Sequence, residues 1–290
     1  MKVLVLGPNG QLGTDLIRNS SQAPLIEWIP FGREKLDLSG EFEEIIPRLL
    51  EARADVLVNC AGDNRVDEAE EKSEKTYRLN AHAVGEIAKA CQKKKIRMIH
   101  NSTDYVFDGE KKKAYHEEDF PAPINLYGAS KWAGELLARR YHDNVVILRT
   151  ASLYGQRGST SKGHNFVQAI LKQAHEKKPI RVVQDVTMSP TSSEQLAEVI
   201  IKILDQNPPS GVYHAVNSGH ASWYEFARKI IEFASVPAEI VPVTSVEFKR
   251  AARRPPMSVL DNSKISSRVG PIPHWEEALE LYLKRKGLCR

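Results

Sequence analysis

The sequence predicts an α/β fold built on a doubly wound parallel sheet, and three observations lead to this prediction. Short apolar runs typical of buried parallel strands recur along roughly the first 150 residues. Amphipathic helical segments separate these runs, so that strand and helix alternate. The first run, Lys2–Leu6, ends directly at a glycine-rich turn that leads into a helical pattern. We therefore expect helices on both faces of one central sheet.

The composition is that of an ordinary globular protein. The chain has 290 residues, 41% of them hydrophobic and 27% charged, and three cysteines that are far apart. The net charge of +4 is small and scattered, which argues against a nucleic-acid partner. We expect no membrane span, no metal site and a reducing, cytoplasmic compartment, because apolar runs are short and no ligand spacing appears. The oligomeric state stays open, and a homodimer is one option.

The turn after the first strand predicts a dinucleotide site. Gly7, Gly10 and Gly13 form a GxxGxxG pattern, and a helical pattern opens at Thr14. Glycines permit a tight turn and let the backbone approach a phosphate closely. The N-terminus of the following helix then offers free N–H groups and the positive end of its dipole to the pyrophosphate. This arrangement is typical of the Rossmann fold.

The end of the second strand bears on which cofactor is bound. Residues 25–29 read as that strand, with Pro30 marking its end. An NAD site is expected to carry an acidic residue near this point, about 20 residues past the glycines, to hold the ribose diol. The chain instead has Arg33, and a guanidinium pairs well with a 2′-phosphate. We therefore expect NADPH, with NADH as the alternative, and we assign Asp37 to the adenine end.

Small residues follow the third strand at the predicted cofactor edge. Cys60, Ala61 and Gly62 leave room for a cofactor at the carboxyl end of that strand, where open α/β sheets bind ligands. The next helical segment contains Asn80, which we assign to the same cofactor site. These residues extend the predicted site beyond the glycine turn.

The fourth strand, residues 96–100, leads into a polar stretch. A hydroxyl at this strand end, on Ser102 or Thr103, points into the same crevice, and Asp104 is an expected substrate contact. Local capping of a turn is the alternative interpretation for both hydroxyls. The tyrosine and lysine described next favour the catalytic interpretation.

Tyr127 and Lys131 are candidates for proton transfer. Pro123 disfavours helix at the residue before it, so we expect the helix to start near Leu126. The two side chains are then i and i+4 on one helical face. A neighbouring ammonium should lower the pKa of the phenol, which could then exchange a proton with a carbonyl or alcohol oxygen. An ordinary surface helix is the alternative.

A change in composition suggests two domains. The polar loop of residues 156–163 is interpreted as a mobile link over the substrate side. Residues 1–155 form the expected dinucleotide-binding domain, and residues 156–290 form mainly a smaller C-terminal α/β substrate domain. Segments from about 180 to 216 are expected to rejoin the first domain, because residues 212–216 read as a strand returning to the main sheet.

Two further signals lie in the second part of the chain. Capping-box patterns begin at Thr191 and at Ser222, and each precedes an apolar helical pattern. The basic stretch of residues 250–254 is followed by two prolines. It is either a charged surface loop or a clamp on a substrate diphosphate, with Arg254 as the assigned contact.

Several motifs, in one order along nearly the whole chain, resemble those of the extended short-chain dehydrogenase/reductases, and among these the dTDP-4-dehydrorhamnose reductases. They are the glycine turn, residues 102–109, the pair Tyr127 and Lys131, residues 213–214 with 222–227, and residues 254–255 with 258–261. The resemblance implies hydride transfer from NAD(P)H to the C4 ketone of a nucleotide-linked 6-deoxy-4-keto-sugar. A nucleotide sugar is then the expected partner.

The same resemblance implies individual roles. Tyr127 would donate the proton, Lys131 would bind the nicotinamide ribose and tune Tyr127, and Thr103 would hydrogen-bond the substrate carbonyl oxygen. Charge develops on that oxygen as hydride adds, so both contacts would stabilise it. The residues expected to line the cofactor are Gly10, Gln11, Leu12, Asp37, Leu38, Ala61 and Gly62.

The chain departs from the family at two places. Ser152 stands where the family usually has a tryptophan that touches the sugar, and Met188 lies where a glycine-containing stretch is usual. Both changes should reshape the sugar pocket and leave the exact sugar open. The alternatives are a non-catalytic Rossmann regulatory or scaffold subunit and a sugar-nucleotide epimerase. A dehydratase is disfavoured because Tyr105 occupies the place of its second acidic residue.

Overall fold

The computed structural model describes residues 1–158 and 163–289. The strands are β1 Lys2–Leu6, β2 Glu27–Phe31, β3 Val56–Asn59, β4 Arg97–Thr103, β5 Val145–Thr150, β6 Leu153–Tyr154, β7 Ile180–Val183, β8 Thr187–Met188, β9 Thr191–Ser192, β10 Gly211–His214, β11 Ala221–Ser222 and β12 Ile240–Val243.

The helices alternate with these strands over the first half of the chain. They are α1 Gln11–Arg18, α2 Phe42–Glu51, α3 Val66–Glu71, α4 Ser73–Tyr77, α5 Ala83–Lys94, α6 Leu126–Tyr141, α7 Phe166–His175, α8 Ser193–Gln206, α9 Trp223–Ala234, α10 Ser263–Val269 and α11 Trp275–Arg285. A π-helical turn, Arg78–His82, joins α4 to α5. Among the helices in the described residues, none has the length and apolar character of a membrane span.

The central sheet has six strands in the order β10-β5-β4-β3-β1-β2, and every pair is parallel. The predicted parallel sheet is therefore confirmed. So is the return of a late strand to it, because β10 pairs with β5 over four residues. The sheet order reverses beside β1, and ligands bind at such switch points in open α/β sheets.

The two faces of the sheet are covered by different helices. Alternate residues of β1 show the division: Val3 and Val5 pack with α1, α8 and α10, whereas Leu4 and Leu6 pack with α2, α5 and α6. This follows from the period of two in a strand. Each fully buried aliphatic side chain stabilises the fold by about 1.5–3 kcal/mol relative to its exposed state. The doubly wound architecture is thus held by two apolar layers.

A third apolar cluster lies apart from the central sheet. It joins α7, α9 and α11 to β7, with Phe226 and Trp275 among its buried members. Strand β7 pairs only with β12 in a separate two-stranded sheet. Helices α8 and α10, although late in the chain, pack on the central sheet. A domain boundary near residue 155 stays a prediction, and so does the mobile link, since residues 159–162 lie outside the described part.

Two local predictions were wrong in detail. Strand β2 continues through Pro30 to Phe31, because β2 is an edge strand and the missing N–H of proline breaks no ladder bond there. The capping box expected at Thr191 does not form; helix α8 starts after Ser192, which makes no side-chain cap. The Thr191 hydroxyl instead donates to the Ser189 carbonyl at 3.0 Å.

Two other predicted helix starts are confirmed. Helix α6 begins at Leu126, after Asn125, whose side chain accepts a hydrogen bond from Gly128 N at 2.7 Å. Helix α9 begins after Ser222, and the reciprocal contacts of Ser222 and Glu225 complete a capping box at 3.1 and 2.8 Å. Such caps typically contribute about 1 kcal/mol each.

Candidate active site

A cavity of about 970 Å³ lies at the carboxyl ends of the central strands. One wall consists of the turn after β1 and the segment after β3, and we call it the cofactor wall. The opposite wall, here called the substrate wall, comes from residues after β5 and from the C-terminal third of the chain. Between the walls lie the end of β4 and the start of α6. The residues that represent these parts are Gly10, Ala61, Thr103, Tyr127, Trp223 and Arg250.

The glycine turn has no room for side chains at two of its three glycines. A Cβ atom on Gly13 would lie 2.2 Å from the Gly7 carbonyl oxygen, which is backbone and cannot move aside. Gly7 has φ +71°, and a Cβ there would lie 2.9 Å from Ala61 N. Gly10 forms the extended N-cap of α1. The turn therefore fits the close approach of a pyrophosphate.

Helix α1 starts at Gln11 and not at Thr14, as the sequence suggested. The earlier start brings the first N–H groups of the helix, those of Gln11 and Leu12, to the cavity edge. Within the described residues the buried Gln11 side-chain nitrogen has no hydrogen-bond partner. An unsatisfied buried donor beside a free helix N-terminus fits an anionic ligand.

The structure brings Thr103, Tyr127 and Lys131 together. The hydroxyls of Thr103 and Tyr127 are hydrogen-bonded, and the Lys131 ammonium donates to the Asn101 carbonyl at 2.6 Å. Ser102, the other candidate hydroxyl, faces away from Tyr127 and donates to Glu135 Oε1 at 2.5 Å. The alternation of side chains along β4 thus selects Thr103.

The expected lowering of the Tyr127 pKa is wrong for this structure. Burial raises the pKa of Tyr127, and the hydrogen bond with Thr103 offsets this only in part. Burial also lowers the pKa of Lys131 to about 8, while the Glu135 carboxylate acts in the opposite direction. Desolvation is thus the largest influence on the pKa of each group. The phenol stays neutral near pH 7, which is the form that donates a proton.

The segment after β3 supports the cofactor wall in two ways. Cys60, Ala61 and Gly62 line the cavity, and burial raises the pKa of the Cys60 thiol to about 12, so it is neutral. Asn80 does not line the cavity. Its amide donates to the Asp63 carbonyl at 2.8 Å and to Ser130 Oγ at 3.0 Å, so it ties this segment to α6 from behind.

Arg33, Asp37 and Leu38 lie outside the described cavity lining. The Arg33 side chain is 76% exposed, and its Nε donates to Asp37 Oδ2 at 2.9 Å. The other Asp37 oxygen accepts from Ser39 N at 3.0 Å. Leu38 is buried in the core beneath. A role for Arg33 at a 2′-phosphate stays a prediction.

Asp104 lies behind Thr103 at the centre of the cavity. Its Oδ1 accepts the Thr103 hydroxyl at 3.1 Å, and Ser258 also hydrogen-bonds its carboxylate. Burial raises the pKa of Asp104 from 3.8 to about 6. The expected substrate contact thus takes the form of a buried carboxyl group that orients the threonine.

The substrate wall contains an aromatic pair that the sequence analysis missed. Ser152, with φ +45°, lines the cavity where the resemblance led us to expect a tryptophan. The rings of Phe166 and Trp223 also line it, with centroids 4.5 Å apart. They come from α7 and α9, and no local motif connects these helices. Met188, the second departure, is buried away from the cavity against β11.

Arg254 lines the cavity, but a carboxylate already neutralises it. Its guanidinium donates to both Asp67 oxygens, at 2.5 and 2.6 Å, and the ion pair lowers the pKa of Asp67 to about 2. Arg254 also donates to the Tyr105 hydroxyl. The clamp expected of this basic stretch is therefore better placed on Arg250, whose guanidinium lies 5.6 Å from the Phe248 ring at the cavity.

A buried ion pair beneath α6 also escaped the sequence analysis. Arg149 Nη2 and Glu135 Oε2 are 2.7 Å apart, and both side chains are less than 5% exposed. Glu135 follows Lys131 by four residues, so its helical spacing was a usable signal. Over residues 1–158 and 163–289, no group of three or more metal-ligating acidic, histidine or cysteine side chains occurs.

Comparisons with known proteins agree with this geometry. The model of a family described as RmlD substrate binding domain matches residues 1–287. The chain is 37% identical to the spore coat polysaccharide biosynthesis protein SpsK of Bacillus subtilis, over 99% of this chain and 98% of that protein. It is 35% identical to a dTDP-4-dehydrorhamnose reductase of Burkholderia thailandensis, over 100% and 98%. A crystal structure of dTDP-4-dehydrorhamnose reductase from Bacillus anthracis in complex with NADP superposes with a TM-score of 0.92, at 35% identity over 98% of this chain and 99% of that one.

Proposed function

We infer the function from one premise: this chain belongs to the RmlD substrate binding domain family. We propose that it is an NADPH-dependent oxidoreductase that reduces the C4 ketone of a dTDP-linked 6-deoxy-4-keto-sugar. The observation that carries the proposal is the cluster of Thr103, Tyr127 and Lys131 in a cavity that the glycine turn also lines. Full-length relatives named as reductases of such sugars, at 32–35% identity, support it.

The cofactor wall fits a dinucleotide. Gly7 and Gly13 exclude side chains, and the N-terminus of α1 supplies free N–H groups for a pyrophosphate. The cavity continues from this turn to Lys131, and in our proposal its ammonium binds a ribose hydroxyl. When bound, the nicotinamide supplies the hydride for the carbonyl carbon. The NADP in the crystal structure of the Bacillus anthracis relative supports NADPH over NADH.

The residues between the two walls stabilise and then neutralise the negative charge that develops on the substrate oxygen. As the ketone is reduced, its oxygen takes up negative charge, and Tyr127 donates the proton that turns it into a hydroxyl. The Thr103 hydroxyl, which donates to Asp104 Oδ1 in this structure, turns to donate its one hydrogen bond to the same oxygen when the substrate is bound. The Lys131 ammonium stabilises the tyrosinate that remains until a proton returns from solvent. The shared position of these three side chains in one cavity supports these roles.

The substrate wall suits the rest of a nucleotide sugar. Arg250 offers a cation for a diphosphate, and Phe248 and Trp223 offer aromatic faces for a base or a sugar ring. A cytoplasmic location, a homodimer and a two-domain organisation stay predictions for this chain. The assay described next tests which sugar is reduced.

The test is oxidation of NADPH, followed by its absorbance, with a dTDP-4-keto-6-deoxy-sugar as substrate. Tyr127→Phe should lower kcat by about 10²–10⁴-fold, because the phenol is the acid that the reduction needs. Its affinity for NADPH should stay unchanged. Tyr141→Phe is the matched control, since Tyr141 lies on the same helix with an exposed side chain, and it should keep full activity.

Three results would contradict the proposal. Full activity of Tyr127→Phe would remove this residue from the mechanism. Tight NADPH binding without turnover of any 4-keto-6-deoxy-sugar would favour a non-catalytic role. Interconversion of sugar epimers without net NADPH consumption would indicate an epimerase.

A further inference from the structure

The ion pair of Arg149 and Glu135 lies between β5 and α6, and the proposed reaction does not use it. Arg149 belongs to β5 and Glu135 to α6, so the pair joins sheet and helix. Arg149 Nε contacts Glu135 Oε1 at 3.0 Å, and Nη2 contacts Oε2 at 2.7 Å. Burying two charges is costly unless their partners are well placed, so an apolar pair would have served packing as well. This location suggests a task beyond packing.

Glu135 touches both elements that carry the reacting groups. It follows Lys131 by one helical turn and therefore lies on the same face of α6. Its Oε1 also accepts the hydroxyl of Ser102 at 2.5 Å, and Ser102 immediately precedes Thr103 on β4. One carboxylate thus fixes the end of β4 relative to the helix that carries Tyr127 and Lys131.

The ionisable groups that face Lys131 come from three elements. Cys60, after β3, is a neutral thiol because burial raises its pKa to about 12. His100, on β4, is neutral because burial and the lysine charge lower its pKa. Tyr127 is a neutral phenol. Among these facing groups in the described part of the chain, Glu135 alone carries negative charge towards the ammonium.

We propose that Glu135 is a positioning residue for the reduction, and that its carboxylate keeps the buried Lys131 in the ammonium form. This inference rests on the proposed function. Burial favours the neutral amine and lowers the pKa of Lys131 to about 8, even though the Glu135 carboxylate opposes that change. Arg149 completes the arrangement, since a buried carboxylate without a cation would itself take up a proton.

The first test observes Lys131 directly. Protein labelled with ¹³C at lysine Cε is titrated by NMR, and the Lys131 signal is identified by its loss in Lys131→Met. The double variant Glu135→Gln with Arg149→Met removes both charges and leaves no buried cation unpaired. In it the Lys131 titration should move lower, but by less than the roughly one pH unit expected for a single neighbouring charge, because the lost Arg149 cation partly offsets the lost carboxylate. An unchanged titration overturns the inference.

Two further variants distinguish the effect of the Glu135 charge from that of its hydrogen bond, and provide an alternative if the double variant misfolds. Ser102→Ala removes the hydrogen bond to Glu135 but keeps its charge, so the Lys131 titration should stay in place. A shift as large as that of the double variant would show that packing, and not charge, is responsible. If the double variant does not fold, Glu135→Asp replaces it. The shorter side chain moves the carboxylate away from Lys131, so the Lys131 titration should shift in the same direction by a smaller amount. No shift in this variant overturns the proposal.

The second readout is the pH profile of kcat/KM for NADPH-dependent reduction. Its alkaline limb should move lower by the same amount as the Lys131 titration. If no sugar is reduced by the wild-type protein, the proposed function fails and the NMR result still decides the role of Glu135. If the sugar is reduced and the profile is unchanged, the role of Glu135 fails and the reductase function stands.

Discussion

The two walls of the cavity are built in different ways. Two short stretches of consecutive residues, 7–13 and 60–62, supply most of the cofactor wall, and they meet through backbone atoms. The substrate wall draws single residues such as Ser152, Phe166, Trp223 and Arg250 from four separate segments. Cofactor binding is thus fixed by local backbone geometry, whereas substrate binding depends on how distant segments pack. Substitutions should therefore be tolerated unequally by the two walls.

Adding one methyl group to the glycine turn of the cofactor wall should strongly weaken NADPH binding. Gly13→Ala places its Cβ 2.2 Å from the Gly7 carbonyl oxygen, so the turn must open. We expect the affinity for NADPH to fall about 100-fold, which corresponds to about 3 kcal/mol of overpacking. Fluorescence titration with NADPH measures it.

Gly40→Ala is the matched control for this change. A Cβ on Gly40 would meet its nearest atom at an ordinary 3.4 Å, and its φ is not in the left-handed region. Its affinity for NADPH should equal that of the wild type. Equal affinity in Gly13→Ala would show that the turn does not cradle the cofactor.

Asp104, between the two walls, should give a pH-dependent effect of intermediate size. Its folded pKa of about 6 exceeds the value of 3.8 for the free side chain, so its stabilising effect is complete below pH 3.8 and is lost as the pH rises through 6. Relative to Asp104→Asn, the wild-type free energy of unfolding should fall by about 2–3 kcal/mol between pH 4 and 7. Urea denaturation at several pH values measures this.

Asp108→Asn serves as the comparison, because a hydrogen bond from Tyr115 lowers the pKa of Asp108. Its contribution to stability is present above pH 3.8 and is lost as the pH falls through its lower, folded pKa. The two variants should therefore change the pH dependence in opposite directions. Parallel curves for wild type and Asp104→Asn would mean that Asp104 is not titrating in a buried site.

The smallest effect is expected at Arg33, which is exposed and lies outside the cavity lining. Arg33→Asp should reduce the preference for NADPH over NADH about three- to tenfold, because an exposed guanidinium contributes modestly to binding a 2′-phosphate. Dissociation constants for both cofactors measure the ratio. Lys35→Asp changes a nearby charge by the same amount and should leave the ratio unaltered. An unchanged ratio in Arg33→Asp would assign the 2′-phosphate to another residue.

Local chemistry explains what the sequence could predict. The glycine turn, the start of α6 after Pro123 and the cap at Ser222 each depend on neighbours within a few residues. The return of β10 followed from its apolar pattern together with the strong preference for a continuous sheet. These signals placed Tyr127 and the glycine turn correctly in the fold.

Contacts between residues far apart in the chain explain what the sequence could not predict. Arg254 forms an ion pair with Asp67, 187 residues away, and the sequence around either residue does not predict this partner. The cap expected at Thr191 is absent: α8 starts after Ser192, and its first residue, Ser193, donates to Asp15 of α1 at 2.5 Å, a contact across 178 residues. The pKa of Tyr127 rises because of burial, which spacing along a helix does not reveal. The substrate wall is made almost wholly of such contacts.

The position of β10 has a consequence for how the protein is made. Five of the six central strands are complete at Thr150, but β10 begins at Gly211, about 60 residues later. At about 5–20 residues per second of synthesis, the edge of β5 waits roughly 3–12 seconds on the ribosome before its neighbour emerges. During that time its backbone N–H and C=O groups are open to other chains. Chaperone capture of nascent chains should therefore peak between these two lengths.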